Sequence, residues 1–221
     1  NIKQKKTYLA ADRLKELNPS IKIEAISQKF NLELALDLAS RFDVIVDGTD
    51  NFSAKFLLND VGVKTNVPVI YGSVYQFEGQ ASVFWAEHGP CYRCYLPSPP
   101  RNSIPTCAEA GVLGPVAGVI GSVKAIETIK VILMKANHQS PNSSPLLPSL
   151  LGKLLIFDGL KLRFSTVQIL KNKTCSICSL PRDQILLREE TQNVCSLNSS
   201  RSIAEEITPE INMNFSTFMY P

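Results

Sequence analysis

Four cysteines form two matched Cys-x-x-Cys pairs, Cys91/Cys94 and Cys175/Cys178. Such a turn supplies two thiolates to one ion, and two turns together provide the four tetrahedral ligands that zinc prefers. The pairs are about 80 residues apart, so the site would join two distant loops rather than form a small finger. A closed site of four thiolates has no open coordination position, so we expect a structural metal without a catalytic role.

Other interpretations of the pairs are disulfides in a secreted protein, redox dithiols, or buried cysteines that share no ion. No signal peptide opens the sequence, and two matched pairs indicate a metal more specifically than one pair does. We therefore predict one structural Zn²⁺ and a reducing compartment. The expected location is the cytoplasm, with an organelle stroma left open.

A second candidate site lies at the end of the apolar run 42–47, where Asp47 and Asp50 follow a predicted parallel strand. In open α/β sheets, ligands bind just outside the carboxyl ends of the strands. A carboxylate there can hold Mg²⁺ on the phosphates of a nucleotide. Alternatively, Asp50 caps the helix expected to begin near residue 53, and the spacing alone leaves both roles open. Lys6 lies in a lysine-rich helix, and such a cluster is usually a solvated face.

Helix and strand patterns alternate around these residues, which is typical of a doubly wound α/β sheet. Helices are expected at residues 4–17, 32–39, 53–64 and 112–134, and strands at 21–26, 42–47, 68–72, 80–85, 154–158 and 164–169. The strand at 80–85 is expected to pair antiparallel with its neighbours. Gly114, Gly118 and Gly121 in the last helix are expected to permit close packing against the sheet.

The composition fits one α/β domain with an extension: 221 residues, 44% of them hydrophobic and 19% charged. A net charge of +3, with no basic run among aromatic residues, argues against nucleic-acid binding. No apolar run is long enough to cross a bilayer, so no membrane partner is expected. Because the sequence opens with Asn and a helical pattern, we expect the natural protein to continue upstream.

Seven stretches carry a resemblance to a known family. They are IKQKK and LKELNP within residues 2–19, DVIVDGTDN at 43–51, FEGQASVF at 77–84, GPCYRC at 89–94, TCAEAGVLGPVAGVIGSVKAIETIK at 106–130 and CSIC at 175–178. In this order they resemble the E1-like adenylyltransferase superfamily: the molybdopterin-synthase and thiamine-pathway enzymes that activate sulfur carriers, and the related ubiquitin-like-protein activator.

The resemblance implies a Rossmann-like doubly wound sheet with added antiparallel strands and a structural four-cysteine zinc site. It also implies that ATP and Mg²⁺ are used to adenylate a ubiquitin-like sulfur-carrier protein that ends in Gly-Gly. A sulfur donor, either a cysteine desulfurase or a rhodanese, and a homodimer are the further expected partners. The implied pathways are those of molybdenum cofactor, thiamine and tRNA thiolation.

The resemblance also assigns roles to individual residues. Lys6 matches the lysine that contacts the phosphates of ATP, Asp50 matches the aspartate that helps to bind Mg·ATP, and Asn51 adjoins it in the nucleotide pocket. The four paired cysteines match the zinc ligands. Cys107 matches a cysteine that forms a thioester or acyl-disulfide with the carrier in several members, and its alternative is an inert loop cysteine.

One departure from the family pattern limits this interpretation. The Gly-rich nucleotide loop, the ribose-binding acidic residue and the phosphate-binding arginines of the family precede the position of Lys6, and residues 1–221 contain none of them. We therefore expect a partial E1-like (ThiF-type) adenylation domain at 1–178, inactive or weakly active alone. Residues 179–221 are expected to be a linker or extension that leads towards a truncated rhodanese-like domain. The alternative function is a non-catalytic, zinc-stapled module that binds a ubiquitin-like partner.

Overall fold

The computed structural model describes residues 5–100, 110–138 and 147–188, and the chain divides into two compact units, Asn1–Asn31 and Leu32–Pro221. In the first unit, α1 (Lys6–Leu17) ends where the N–H of Asn18 donates to the carbonyl oxygen of Leu14. The strand expected at 21–26 is wrong, since none of these residues is in a strand. The alternation of apolar and polar residues at 21–26 is typical of a strand, but a strand also needs a neighbouring backbone to pair with.

The second unit contains the sheet and the remaining helices. Along the chain these elements are α2 (Leu32–Arg41), β1 (Ile45–Val46), α3 (Phe52–Thr65), β2 (Val69–Tyr75), β3 (Glu78–Phe84), α4 (Tyr92–Tyr95), α5 (Gly114–His138), β4 (Lys153–Asp158), β5 (Arg163–Gln168) and a 3-10 helix (Arg182–Gln184). Apart from the strand at 21–26, each predicted element corresponds to an observed one, although β1 is reduced to two residues.

The sheet has five strands in the order β1-β2-β3-β4-β5. β1 pairs parallel with β2, with Val46 opposite Ile70. The other three pairs are antiparallel, so the prediction that residues 80–85 pair antiparallel is confirmed. The α/β class is likewise confirmed, as a mixed sheet whose described part contains a single parallel pair.

Helices cover both faces of this sheet. Successive side chains of β2 point to opposite faces, so they pack against different helices. Val69 and Tyr71 join an aromatic cluster with Phe56 of α3. Ile70, between them, packs in a separate cluster with Val131 of α5. The ends of these strands therefore lie between α3 and α5, where a site can form.

Close approach between α5 and the sheet depends on glycines of the strands. A β-carbon at Gly79 of β3 would clash with Ile120 of α5. The helix glycines Gly114, Gly118 and Gly121, in contrast, have open space around them within the described part of the chain. The expectation that the helix glycines permit the packing is therefore wrong.

The segment that follows the second cysteine pair, itself part of the second unit, packs against α3 through Ile185. Ile185 is only 1% exposed and lies in an apolar cluster with Val63 of α3. Lys64 donates from Nζ to the carbonyl oxygens of Ile185 at 2.8 Å and of Arg182 at 3.3 Å. The proposed linker at 179–221 stays a prediction, and residues 189–221 lie outside the described part.

Hydropathy along the described helices gives no candidate for a membrane span: none of them is both long enough and apolar enough to cross a bilayer.

Candidate functional site

The two cysteine pairs meet at one point in the structure. Sγ of Cys91 lies 3.6 Å from Sγ of Cys175 and 3.9 Å from Sγ of Cys94, and Cys94 lies 3.5 Å from Cys178. All four sulfurs are within 4.8 Å of one another. Four sulfurs placed tetrahedrally at about 2.3 Å from one zinc ion are separated by about 3.8 Å. The spacing therefore suits a shared ion and is far longer than a disulfide bond.

Local structure explains why these thiols converge. Cys91 precedes α4, and Cys94 lies within it. The second pair follows a turn in which the N–H of Cys175 donates to the carbonyl oxygen of Asn172. The N–H of Asn172 also donates to Sγ of Cys94 at 3.4 Å. Hydrogen bonds from the Cys178 and Cys91 thiols lower the pKa of Cys175. Hydrogen bonding to Cys175 raises the pKa of Cys91 and of Cys178, so the thiolate form is favoured at only part of the cluster.

Helix α3 anchors the cysteine cluster to the sheet. The side-chain oxygen of Asn59 accepts from the N–H of Tyr92 at 2.6 Å. Arg93 forms a bidentate pair with Asp60, through Nε at 2.8 Å and Nη2 at 2.6 Å, and its guanidinium lies over the ring of Phe56. Because these partners are largely buried, α4 is held in one orientation by charge-assisted hydrogen bonds. The same helix begins at the strand end described next, so it links the two candidate sites.

A buried ion pair marks the carboxyl end of β1. Asp47 is 2% exposed, and its Oδ2 accepts from Nζ of Lys55 at 2.7 Å. The other oxygen, Oδ1, accepts from the N–H of Thr49 at 2.8 Å and from its hydroxyl at 2.7 Å. Nζ of Lys55 also donates to the carbonyl oxygen of Gly72 at 2.8 Å and lies 5.0 Å from the ring centre of Tyr71. These bonds fix the backbone that turns from β1 into α3.

The turn presents Asp50 and Asn51 differently. Asn51 caps α3, since its side-chain oxygen accepts from the N–H of Ala54 at 2.9 Å. The alternative in which Asp50 is the cap is therefore wrong, and the cap lies one residue later. Asp50 is exposed, and its carboxylate has a long contact of 3.5 Å with Nδ2 of Asn51. It is the more accessible of the two aspartates for an ion or ligand.

A cavity of about 800 Å³ opens at this strand end. Its lining includes Asp47, Asp50 and Asn51 from the turn and Lys124 from α5, and it continues along β2 to Glu78. Two lysines at one end, carboxylates at both ends and mainly apolar walls between them are typical of a small-molecule site. The position, outside the end of a parallel strand, is the one that the sequence predicted.

The predicted site residues are only partly brought together. Asp50 and Asn51 lie side by side in the cavity wall. Lys6 is exposed on α1 in the other unit, so its role as a phosphate contact stays a prediction. Cys107 lies outside the described residues. The sequence analysis missed Lys55 and Lys124; a lysine inside an otherwise apolar helical stretch was the signal that could have found them.

Comparison with known proteins identifies the family. The model of the ThiF family matches residues 1–178. The chain belongs to this family, within the E1-like adenylyltransferase superfamily. This ThiF-family chain is 36% identical to the sulfur carrier protein adenylyltransferase of Thermus thermophilus over 80% of its length and 64% of that relative. It is 37% identical to the adenylyltransferase and sulfurtransferase MOCS3 of Dictyostelium discoideum, over 86% of its length and 42% of MOCS3.

A further relative supports this assignment, and a solved structure shares the fold. The ThiF-family chain is 34% identical to the SAMP-activating enzyme E1 of Haloferax volcanii, over 78% of its length and 60% of that enzyme. The crystal structure of E. coli MccB with MccA-N7isoASN shares the fold, with a TM-score of 0.62 at 19% identity over 80% of this chain and 52% of MccB. The chain thus spans between 42% and 64% of the length of these three curated relatives.

Proposed function

We propose that this chain takes part in the ATP-dependent adenylation of the C-terminal glycine of a ubiquitin-like sulfur-carrier protein. Family membership and the adenylyltransferase names of its relatives support the reaction class. The observation that carries the proposal is the cavity at the end of β1, with an accessible Asp50 beside a capped helix N-terminus. Adenylation has a clear chemical purpose: a carboxylate is a poor electrophile, whereas its mixed anhydride with AMP reacts readily with sulfur.

Asp50 is the carboxylate whose surroundings suit Mg²⁺. Asp47 is already occupied by Lys55 and Thr49, and Asp158 accepts from the N–H groups of Leu160 and Lys161. Asp50 keeps accessible carboxylate oxygens, which are the ligands that Mg²⁺ prefers. Bound there, Mg²⁺ would neutralise charge on the nucleotide phosphates.

The remaining residues of the turn would orient the substrates. The N-terminus of α3 favours negative charge because its first N–H groups lack helical partners, and Asn51 satisfies only one of them. A nucleotide phosphate near this turn would align with the glycine carboxylate. One carboxylate oxygen attacks the α-phosphorus, a C–O–P anhydride forms, and pyrophosphate leaves. Lys6 is proposed to contact the nucleotide phosphates, as the family resemblance implies.

Cys107 is proposed to receive the activated carrier. Its thiolate would attack the carbonyl carbon of the acyl-adenylate, so that a C–S bond forms, the C–O bond to phosphate breaks and AMP leaves. An acyl-disulfide would instead need a persulfide sulfur from a desulfurase or rhodanese donor. Molybdenum cofactor, thiamine and tRNA thiolation are the proposed pathways, and a cytoplasmic homodimer is the proposed form.

One Zn²⁺ held by the four clustered cysteines is proposed to be structural. The donor set fits, since four mutually close sulfurs supply the tetrahedral thiolate ligands of a closed site. When bound, the ion would hold α4 and the turn at Cys175 together. This proposal gives it no step in the reaction.

ATP–pyrophosphate exchange by the full-length protein, with a carrier that ends in Gly-Gly, tests the proposed function. We expect carrier-stimulated exchange, and we expect Asp50→Asn to lower it by about 100-fold because phosphate charge is no longer neutralised. Asp43→Asn is the matched control, since Asp43 is 84% exposed and precedes the other end of β1. A wild-type protein that binds such carriers without any exchange would favour the alternative, a non-catalytic docking module.

A further inference from the structure

Lys124 reaches the cavity from the middle of α5. Its Nζ donates to the backbone carbonyl oxygen of Asp47, and its side chain forms part of the cavity wall. Lys55, at the same strand end, is paired with the Asp47 carboxylate. Lys124 has no carboxylate within ion-pair distance among residues 5–100, 110–138 and 147–188. The cavity therefore contains one lysine in a direct ion pair and one whose ammonium contacts a backbone carbonyl instead of a carboxylate.

The backbone of β2 is shaped to let this side chain through. A β-carbon at Gly72 would lie 2.5 Å from Cδ and 3.2 Å from Cε of Lys124, so any larger residue would displace the stem. The carbonyl oxygen of Gly72 accepts from Lys55 on the other side. Two lysines thus converge on one strand end from helices that cover opposite faces of the sheet.

A bound anion would stabilise the Lys124 ammonium, because burial disfavours its charged form. Burial lowers its pKa, and the Asp47 carboxylate acts in the opposite direction. The cavity carboxylates of Glu78 and Asp158 face each other across β3 and β4, and Glu78 lies opposite Tyr75, three residues along β2 from Gly72. Three residues of a strand span about 10 Å, so these acids belong to the other end of the cavity.

We infer that Lys124 forms an oxyanion subsite of the cavity and binds a phosphate or carboxylate oxygen of the substrate. An ammonium carries three N–H donors, and the Asp47 carbonyl takes one of them, so two remain for a ligand as far as the described residues are concerned. Under the proposed function, on which the choice of ligand rests, two sources supply such an oxygen. These are the nucleotide phosphate and the C-terminal carboxylate of the carrier.

Equilibrium titrations of the full-length protein measure this subsite without turnover. The probes are AMP and a synthetic peptide ending in Gly-Gly, prepared as the free acid and as the C-terminal amide. Lys124→Met keeps the stem that passes Gly72 and removes the charge, so we expect binding of the contacted anion to weaken by about 10- to 100-fold. A loss for AMP identifies the phosphate. A loss for the free acid but not for the amide identifies the carboxylate.

Two further variants make the test specific. Gly72→Ala displaces the Lys124 stem while it keeps the charge, so it should weaken the same ligand. Lys135→Met is the control: it makes the same substitution on the same helix, where the lysine pairs with exposed Asp43 outside the cavity. It should leave both affinities unchanged.

Two results would overturn the inference: no binding of either probe by the wild type, or affinities of Lys124→Met within about two-fold of wild type for both probes. Thermal unfolding verifies that each variant is folded, and Lys124→Gln replaces the Met variant if that variant does not fold. AMP binding that depends on Lys124, in a protein without pyrophosphate exchange, would refute adenylation but retain the subsite.

Discussion

Replacing Lys55 with methionine should cost more stability than any conservative change at the surface. The substitution keeps an apolar stem of similar length within α3 and removes the ammonium that pairs with Asp47. Both side chains are almost fully buried, at 6% and 2% exposure. The Asp47 carboxylate would then remain in the interior without its cation.

The expected loss follows from the contacts that disappear. Nζ of Lys55 gives up two short hydrogen bonds, at 2.7 Å to Asp47 and 2.8 Å to the carbonyl of Gly72, together with its position over the ring of Tyr71. Removing one partner of a buried ion pair costs about 3–5 kcal/mol. Because Thr49 still donates two hydrogen bonds to Asp47, we expect the lower end, about 3 kcal/mol.

Urea unfolding followed by circular dichroism measures this loss. The double variant Asp47→Asn/Lys55→Met removes the stranded charge, so it should be about 1–2 kcal/mol more stable than Lys55→Met alone. Lys135→Met, whose partner Asp43 is 84% exposed, should change stability by less than about 1 kcal/mol. If Lys55→Met matched that surface control, the pair would not be a buried, dehydrated interaction and the reasoning would be refuted.

Three further predictions concern the metal, a pH dependence and Cys107. The purified protein should contain one zinc ion per chain by elemental analysis, and Cys175→Ser should reduce the metal content and lower the thermal midpoint; zinc-free wild type of equal stability would contradict this. Because burial lowers the pKa of Lys124 in the folded state, the contribution of Lys124 to wild-type stability should rise with pH towards 10.5, where the unfolded lysine also loses its proton. The free energy of unfolding of Lys124→Met minus that of wild type, in which the other groups cancel, should therefore fall between pH 7 and 10.5 in urea titrations, and a constant difference would refute the shift. Cys107→Ala should keep pyrophosphate exchange and lose the covalent carrier adduct on denaturing gels, and an unchanged adduct would exclude the intermediate.

The order of elements could be predicted because it depends on local patterns. The apolar, β-branched run before Asp47 predicts a strand, which forms with Ile45 half-buried and Val46 exposed, and a polar turn ahead of an apolar helical stretch gives α3. The strand predicted at 21–26 from the same kind of pattern is wrong, because the pattern describes the side chains of a segment and not whether a partner strand exists. The prediction from the small residues of α5 is wrong for a related reason. Their spacing does not show which of the two packed elements needs the glycine, and the structure shows that it is Gly79 on β3.

The candidate site was predictable where a residue type has few uses. Two Cys-x-x-Cys pairs indicate one four-sulfur cluster, and the structure places their sulfurs within 4.8 Å. An aspartate before a helix has two common uses, and only the structure shows that Asn51 makes the cap and leaves Asp50 accessible. Capping depends on backbone angles, so it could not be assigned from spacing alone.

The sequence by itself therefore determined the family, the four cysteines that cluster and the strand end at which the cavity opens. Tertiary structure alone decided the electrostatics of that strand end. Lys55 and Lys124 are about 70 positions apart, and neither forms a motif with Asp47. They meet because helices on opposite faces of one sheet direct their side chains to the same turn, where burial makes each charge depend on the partner that the fold provides.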